Sequence, residues 1–458
     1  MKNQTMDTEK KKALIAMSGG VDSSVAAALM VKDGYECIGC TMKLLGCLDE
    51  AGTFVRSVQA DAGSADPGEE GSGSVRSDLM PGRAHTCCSL EDVEDARSVA
   101  WKLGMPYYVF NFSPEFEEKV IDRFIRVYQE GGTPNPCIDC NRYLKFGKLF
   151  LRAKELGCDV VVTGHYAGTR YDEKCARWQL RRSKNLSKDQ TYVLYAMTQE
   201  QLAHVRFPLG EASDKEEVRR IAEQYGFVNS HKPDSQDICF VPDGKYAEFI
   251  ERRTGKKAPC GDFVDKEGSV LGTHKGVIRY TIGQRRGLGL ALPAPLYVSR
   301  IDTEKNQVVL TPEEDLYSRR LVAGDFNWIW TPDWGSWNGA GTDRTAPGRS
   351  AAGTDRTAPG RSAAGTDRTA SGRSAAGSKD ADAAGAVSPP VGYTCEVTAK
   401  PRYRAKEAAA TARVLEGGNV EILFHEPQRA LTAGQAVVLY DGENVVGGGT
   451  IRGGDTGR

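Results

Sequence analysis

Short apolar runs alternate with amphipathic stretches along the first third of the chain. Leu14-Ile15-Ala16-Met17 reads as a buried strand, and Val25 to Asp33 as a helix ended by Gly34. Tyr35 to Met42, Tyr107 to Phe110 and Asp159 to Thr163 read as further strands. Helical periodicity covers Glu91 to Leu103, Lys119 to Glu130 and Lys145 to Leu156, with Gly104 and Gly157 as stops on the first and last. Strands alternating with helices predict an α/β fold, a parallel sheet covered on both faces. One more helix is predicted from Lys215 to Tyr225, with Asp214 near its start and Gly226 after it.

From Gly261 onward the period shortens to two and glycine turns multiply. Phe263-Val264, Val270-Leu271, Leu296 to Ile301, Val308 to Leu310, Glu396 to Ala399, Ala412 to Leu415, Val420 to Phe424 and Ala436 to Leu439 read as short strands of one or two small β domains. Two segments carry no such pattern. Residues 46–86 shift to Gly, Ser, Asp and Ala and read as a mobile insertion. Residues 341–376 hold three copies of a twelve-residue repeat, GTDRTAPGRSAA twice and GTDRTASGRSAA once. A solenoid repeat needs an apolar stripe to bury; this one has no large apolar residue and is expected to be disordered.

Length and composition narrow the picture. A chain of 458 residues exceeds one ordinary core and implies two or three domains. Hydrophobic residues make up 40% and charged residues 26%, and no run of eighteen apolar residues exists, so a soluble protein without a transmembrane helix is expected. The apolar run Ala13 to Met17 is too short for a secretory signal, which makes a cytoplasmic location the expectation and leaves no membrane partner. The net charge of −1 offers no global attraction to nucleic acid, so any such surface must be local. In that compartment, close pairs among the twelve cysteines point to catalysis, redox chemistry or metal rather than disulfides. The pairs are Cys37/Cys40, Cys87/Cys88 and Cys137/Cys140; burial is expected for at least one of Cys37 and Cys40, which lie on a strand.

The segment Ser18-Gly19-Gly20-Val21-Asp22-Ser23-Ser24 joins the first strand to the first helix. Paired glycines admit an anion close to the backbone, and helix amides with their dipole stabilise it. Asp22 can order the turn or help hold Mg2+. The Gly-Lys-Ser/Thr ending of a Walker A loop is missing, so the site suits gripping a pyrophosphate better than moving a terminal phosphoryl group. An ordinary helix cap is the plainer alternative. SGGVDSS is similar to the pyrophosphate loop of the ATP pyrophosphatases.

Two polar stretches carry the remaining candidates. Thr133 to Asn141 contains two prolines that stiffen it, and reads as a loop holding Cys137 and Cys140 out of the core. Arg142, Lys145 and Lys148 follow, and positive charge near a helix start favours thiolate. Structural zinc is the competing use and would draw on Cys239 or Cys87/Cys88. Lys232 to Phe240 is a second polar loop, ending beside Cys239.

Taken together, AMSGGVDSS, TMKLL, TPNPCIDCNRYLKF, VTGHYA, SKDQTYVLY, KPDSQDICFV, YTIGQRRGLG, PRYR and LTAGQAVVLY, in that order, make the chain resemble the bacterial tRNA-specific 2-thiouridylases. The resemblance implies adenylation of the C2 oxygen of a wobble uridine by ATP, then sulfur transfer from a cysteine persulfide. It implies Cys140 as nucleophile and Cys239 as the persulfide carrier. Ala16, Met17, Ser18, Gly19, Gly20, Val21, Asp22, Ser23, Met42 and Gly164 would line the ATP site. Asn135, Pro136 and Cys137 would face the target base. His165, Lys188, Asp189, Gln190, Arg402, Tyr403 and Gln435 would contact tRNA. The partners implied are glutamate, glutamine and lysine tRNAs and a sulfur donor such as a cysteine desulfurase or a sulfur carrier. Some members carry an acidic residue where this chain has Cys137; Cys137, Cys140 and Cys239 are also a candidate ligand set for an iron–sulfur cluster. The expected division is a pyrophosphate-loop catalytic domain, similar to the adenine nucleotide alpha hydrolases, over residues 1–240, a central β-rich domain over 241–312, and a C-terminal β-barrel over 313–458 with its insertion at 338–390.

Overall fold

The computed structural model describes residues 10–45, 90–233, 238–241, 244–334 and 388–454. The insertion at 46–86, Cys87 and Cys88, the twelve-residue repeat, and all but the last three residues of 338–390 lie outside these.

The opening alternation builds a parallel sheet. β1 (Lys12–Ala16) leads into α1 (Val21–Lys32), then β2 (Glu36–Lys43), α2 (Leu90–Lys102), β3 (Tyr107–Asn111) and, after two long helical runs at 113–129 and 136–155, β4 (Val160–Val162). β5 (Ala167–Asp172) and β6 (Arg177–Arg182) form a hairpin, and β7 (Val205–Arg206) returns to the first sheet, whose order is β3-β2-β1-β4-β7. β1 lies in the middle with Ala13, Leu14 and Ile15 fully buried, as a strand covered on both faces must be. The chain moves outward on one side of β1 through β2 and β3, then crosses to the other side with β4. The reversal places a crevice at the carboxyl ends of β1 and β4, where open α/β sheets take their ligands.

The second half is β-rich as expected. β8 (Gly261–Val264), β9 (Val270–His274), β10 (Tyr297–Asp302) and β11 (Gln307–Thr311) form a four-stranded sheet in the order β10-β11-β8-β9. β12 (Tyr317–Trp328), β13 (Thr394–Lys400), β14 (Ala408–Val414), β15 (Val420–Arg429), β16 (Ala436–Asp441) and β17 (Asn444–Gly454) run in the order β12-β15-β14-β13-β16-β17, and β12 pairs with β17 to close a six-stranded barrel. The β5–β6 hairpin attaches to the outside of that barrel through Asn444 opposite Arg181. A segment from the first 240 residues is therefore built into the last domain.

The structure departs from the sequence pattern in three places. Cys137 and Cys140 are helical, not on a loop. Helix begins at Pro136, whose fixed φ suits a first helical position, and continues through a π-helical stretch at Cys140–Lys148 into Leu149–Glu155. Only the part from Lys145 carried a readable period. The β5–β6 hairpin and β12 have polar faces that masked their alternation. β17 is glycine-rich at its centre because it passes close beneath aromatic rings: a Cβ on Gly448 would lie 2.7 Å from the Tyr195 ring, and one on Gly449 2.7 Å from Phe326.

One core cluster joins the catalytic and central regions. Phe124 sits within it, with ring centroids 4.9 Å from Tyr128, 5.1 Å from Phe240 and 6.3 Å from Phe249. Phe124→Ala is expected to cost about 3–5 kcal/mol. A lowered urea midpoint of the intrinsic-fluorescence transition checks this.

Candidate active site

The pyrophosphate loop is shaped by contacts that leave no room for side chains. Gly19 has φ +73°, and a Cβ there would lie 2.3 Å from the Asp92 carbonyl oxygen. A Cβ on Gly164, at the end of β4, would lie 2.7 Å from the Ser23 amide nitrogen. Gly20 caps α1 without a side chain, so the first-turn amides point toward the crevice with no side-chain acceptor. The serines close the turn: Ser23 Oγ donates to Gly20 O at 3.0 Å and accepts from the Ser18 amide at 3.2 Å, and Ser24 Oγ donates to Gly20 O at 3.1 Å. Asp22 accepts from Tyr166 OH at 2.8 Å and from Lys215 Nζ at 2.7 Å, both on Oδ1. Met17 is buried at the end of the central strand, its side chain pressed against Gly39 of β2; Met42 is half-buried and Ala16 lies at the strand end.

Two residues escaped the sequence reading. Asn229 is buried and its Nδ2 donates to Gly19 O at 2.8 Å and Ser24 Oγ at 2.9 Å. Its Oδ1 is buried without a donor among the described residues. Lys232 bridges Asp92 at 2.7 Å and Asp95 at 2.6 Å, tying the chain just before Cys239 to the helix under the loop. Neither lies in a local pattern that would announce it.

The 136–155 helix carries its two cysteines about one turn apart, in different surroundings. Cys140 is half-buried against the large aromatic core cluster, and Cys239 packs against the same cluster from the 238–241 segment. Cys137 is exposed and lies in the electrostatic reach of Lys145 and Tyr403. Around it stand most of the residues expected at tRNA. The Tyr403 ring meets Tyr192 at 5.7 Å, Lys400 Nζ lies 5.6 Å over the Tyr403 ring, and the charges of Asp189 and Lys188 act on the Tyr403 hydroxyl. Gln190 is turned inward, its Oε1 accepting from the Tyr166 amide at 2.9 Å. Asp189 is likewise engaged, by the Ser183 amide at 3.1 Å and Thr191 Oγ1 at 2.5 Å. Arg402 donates to Arg429 O at 3.0 Å. Gln435 Nε2 donates to Thr133 O at 2.9 Å and Pro134 O at 3.4 Å, bracing the strand-like approach to Asn135 and Pro136.

Charge is set locally. Crowding by the surrounding backbone and side chains pushes the Cys137 thiol up although its side chain reaches solvent, with Lys145 opposing and Asp139 assisting. Burial, then Lys145, hold His165 well below the usual imidazole range; it is neutral, with Nδ1 2.7 Å from Thr163 Oγ1. Cys37 and Cys40 are both buried, and burial raises both thiols, Cys37 to about 11. A small cleft open to solvent lies between this helix and the barrel; charged Arg123, Asp139, Arg142 and Asp325 line it beside apolar Val127 and Ile138. Arg142 grips Asp325 with two bonds of 2.5 and 3.3 Å, and Arg123 lies 3.2 Å from Asp139. Among the described residues no three His, Cys, Asp or Glu side chains gather so as to hold a metal ion; Cys137 is exposed, whereas Cys140 and Cys239 pack against the core cluster.

Comparison with known proteins agrees with this layout. Three family models match in succession: a tRNA methyl transferase HUP domain at residues 11–65 and 75–243, a tRNA methyl transferase PRC-barrel domain at 247–312, and an aminomethyltransferase beta-barrel domain at 385–451. The tRNA-specific 2-thiouridylase MnmA of Acetivibrio thermocellus is 42% identical over 443 residues, 97% of this chain and 99% of its own. That of Moorella thermoacetica is 43% identical over 96% of this chain and 98% of its own, and that of Clostridioides difficile 40% over the same shares. The chain belongs to the tRNA-specific 2-thiouridylase family. No helix among the described residues of this thiouridylase-family chain is long and apolar enough to cross a membrane.

Asp139, next to Cys140, gives a pH-dependent signature. Burial outweighs Arg123 and Arg142 and pushes its carboxyl from the ordinary 3.8 up to about 6. The folded protein keeps this proton where the unfolded chain has lost it, so the group's stabilising contribution is full below about pH 4 and lost as pH rises through 6. Against Asp139→Asn, wild-type stability is expected to fall by on the order of 2–3 kcal/mol across that window. Urea titrations of both proteins at a series of pH values check it. Asn229→Ala is expected to weaken ATP binding about tenfold by freeing the Gly19 turn. Calorimetric titration with ATP reads that loss.

Proposed function

We propose that this protein thiolates tRNA, as a sulfurtransferase that converts a wobble uridine to 2-thiouridine at the expense of ATP. The observation that supports the reading best is the match of nearly the whole chain to tRNA-specific 2-thiouridylases, together with an uncapped glycine loop at the head of α1 and two cysteines, Cys140 and Cys239, packed against one core cluster. ATP sits with its phosphates on the α1 amides. The remaining oxygen of Asp22, with phosphate oxygens, would hold Mg2+, which supplies charge neutralisation on the departing pyrophosphate. The C2 oxygen of the uridine attacks the α-phosphorus, the bond to the β-phosphate oxygen breaks, and pyrophosphate leaves as the N3 proton is lost. The oxygen is now part of AMP, a good leaving group.

Sulfur reaches Cys239 as a persulfide from a cysteine desulfurase or a sulfur carrier. The Cys140 thiolate attacks the inner sulfur of that persulfide, the sulfur–sulfur bond breaks, and hydrosulfide is released beside C2 while a Cys140–Cys239 disulfide forms. The sulfide attacks C2, the C2–oxygen bond breaks, and AMP departs. A thiol reductant returns the disulfide to two thiols. Lys188, Arg402 and Tyr403 suit tRNA phosphates and stacked bases, and glutamate, glutamine and lysine tRNAs are the substrates expected. An iron–sulfur route would need Cys137, Cys140 and Cys239 to gather around one centre, whereas the persulfide route needs only Cys140 and Cys239, which pack against the same core cluster.

The test is anaerobic thiolation of a glutamate, glutamine or lysine tRNA with ATP and a cysteine desulfurase supplied with cysteine, which delivers sulfur to Cys239 already at the persulfide level. Cys140→Ala and Cys239→Ser are each expected to lower 2-thiouridine formation by on the order of 10³-fold. Cys137→Ser is expected to stay within about tenfold of wild type, since the persulfide route spends no thiolate there. Loss of activity in Cys137→Ser, together with loss of visible iron–sulfur absorbance, would replace the persulfide route with the cluster. A methylated product without sulfur would restore the methyl-transfer description carried by the matching domain models.

A further inference from the structure

The 136–155 helix carries three cations after Cys140, and the structure treats them differently. Arg142 is held by Asp325, and Lys148 lies 2.6 Å from Glu115. Lys145, half-buried between Leu144 and Phe146, has no carboxylate partner among the described residues. Its helical spacing puts it on the stripe of Cys137 and Asn141, with Cys140 beside that stripe. Asn141, in the middle of that stripe, donates to Val193 O at 3.0 Å and leaves its buried Oδ1 without a donor among the described residues. The stripe thus carries an unneutralised cation and an unmet acceptor.

Its position relative to ATP follows from His165. Phe146, next to Lys145, packs its ring 6.1 Å from the His165 ring. His165 follows Gly164, which presses on the Ser23 amide at the head of the pyrophosphate loop. The charge of Lys145 acts on His165 at this end and on Cys137 at the base-facing end. The two reactants, a nucleotide phosphate and a uridine, must meet between those ends. A cation left without counter-ion beside a neutral imidazole and a protonated thiol is a preorganised receptor for an anion that arrives with substrate.

We infer that Lys145 is a catalytic residue of the proposed thiolation, its ammonium contacting the non-bridging oxygens of the α-phosphate during adenylyl transfer and again as AMP leaves. Charge gathers on those oxygens while the uridine oxygen bonds to phosphorus and pyrophosphate departs. The same phosphate becomes the leaving group when sulfur attacks C2. One fixed positive charge on the path serves both steps and needs no proton of its own.

The inference rests on the thiolation reading, and its test separates the two. Full-length wild type, Lys145→Gln and Lys145→Arg are compared for tRNA-dependent pyrophosphate release in a single turnover, for ATP KM, and for tRNA Kd over a salt series. Lys145→Gln is expected to slow pyrophosphate release by about 10²–10³-fold. ATP KM and tRNA Kd should stay within about threefold, with part of the rate restored in Lys145→Arg. An unimpaired Lys145→Gln overturns this inference alone. So does a loss confined to tRNA Kd with a salt slope smaller by about one, which would make Lys145 a backbone-phosphate anchor. A wild type that releases no pyrophosphate in the presence of tRNA overturns the thiolation reading and this inference with it.

Discussion

The site depends on a helix that cannot turn. Residues 136–155 hold Cys140 against the aromatic core and leave Cys137, about one turn earlier, exposed near Tyr403, and a helix rotation of one position would carry both cysteines out of those surroundings. The neighbours that prevent rotation come from everywhere in the chain. Val193 accepts from Asn141, Gln201 Nε2 donates to Phe146 O at 2.6 Å, Glu115 pairs with Lys148, and Asp325 of the barrel clamps Arg142. Asp325 has φ +50° at an irregularity in β12, a conformation aspartate tolerates better than most residues. The partly exposed ion pair itself contributes only roughly 0.2–1 kcal/mol. Its value is angular: two bonds to one guanidinium fix direction where one would fix only distance.

This arrangement ties the barrel to the helix that carries Cys137 and Cys140. Ala433 and Gln435 hold Thr133 and Pro134 by their backbone groups, through the Thr133 amide bonded to Ala433 O at 2.9 Å and the two bonds from Gln435. A Cβ on Gly434 would lie 2.7 Å from Val127, so the barrel loop is pressed flat on the catalytic helices. The residue that the family resemblance places at tRNA, Gln435, thus spends its amide nitrogen on the loop that the same resemblance places at the target base. A tRNA that touched its remaining oxygen would also be touching that loop.

How much of this was legible in the sequence follows from the range of each interaction. The parallel sheet could be read because strand and helix periods are local, and the pyrophosphate loop because SGGVDSS packs its chemistry into seven neighbours. Helix from Pro136 could not be read: two prolines and a run of polar residues obey loop rules until Leu144, Phe146, Leu149 and Phe150 reveal the buried face, and a π-helical stretch blurs the 3.6 period on which the reading relies. Asn229, Lys215 and Lys232 were invisible because each acts on a partner more than a hundred residues away. The loop-thiolate argument for Cys140 also shifts. The cations beyond it are present, but Arg142 and Lys148 are neutralised by carboxylates that lie far off in sequence.

The β5–β6 hairpin has a consequence for how such a protein can change. Its strands belong by sequence to the nucleotide-binding half and by hydrogen bonding to the barrel's sheet, where Arg182 also stacks 4.0 Å over the Tyr440 ring and its amide bonds to Glu443 O at 2.9 Å. The two halves are stitched rather than strung. Deleting or exchanging the barrel as a module would strip a partner from a hairpin whose base, at Ala167, follows directly on the Gly164 turn that presses against the nucleotide loop. Lineages can vary the length of surface segments freely, but recombination at a domain border would not find a clean seam here.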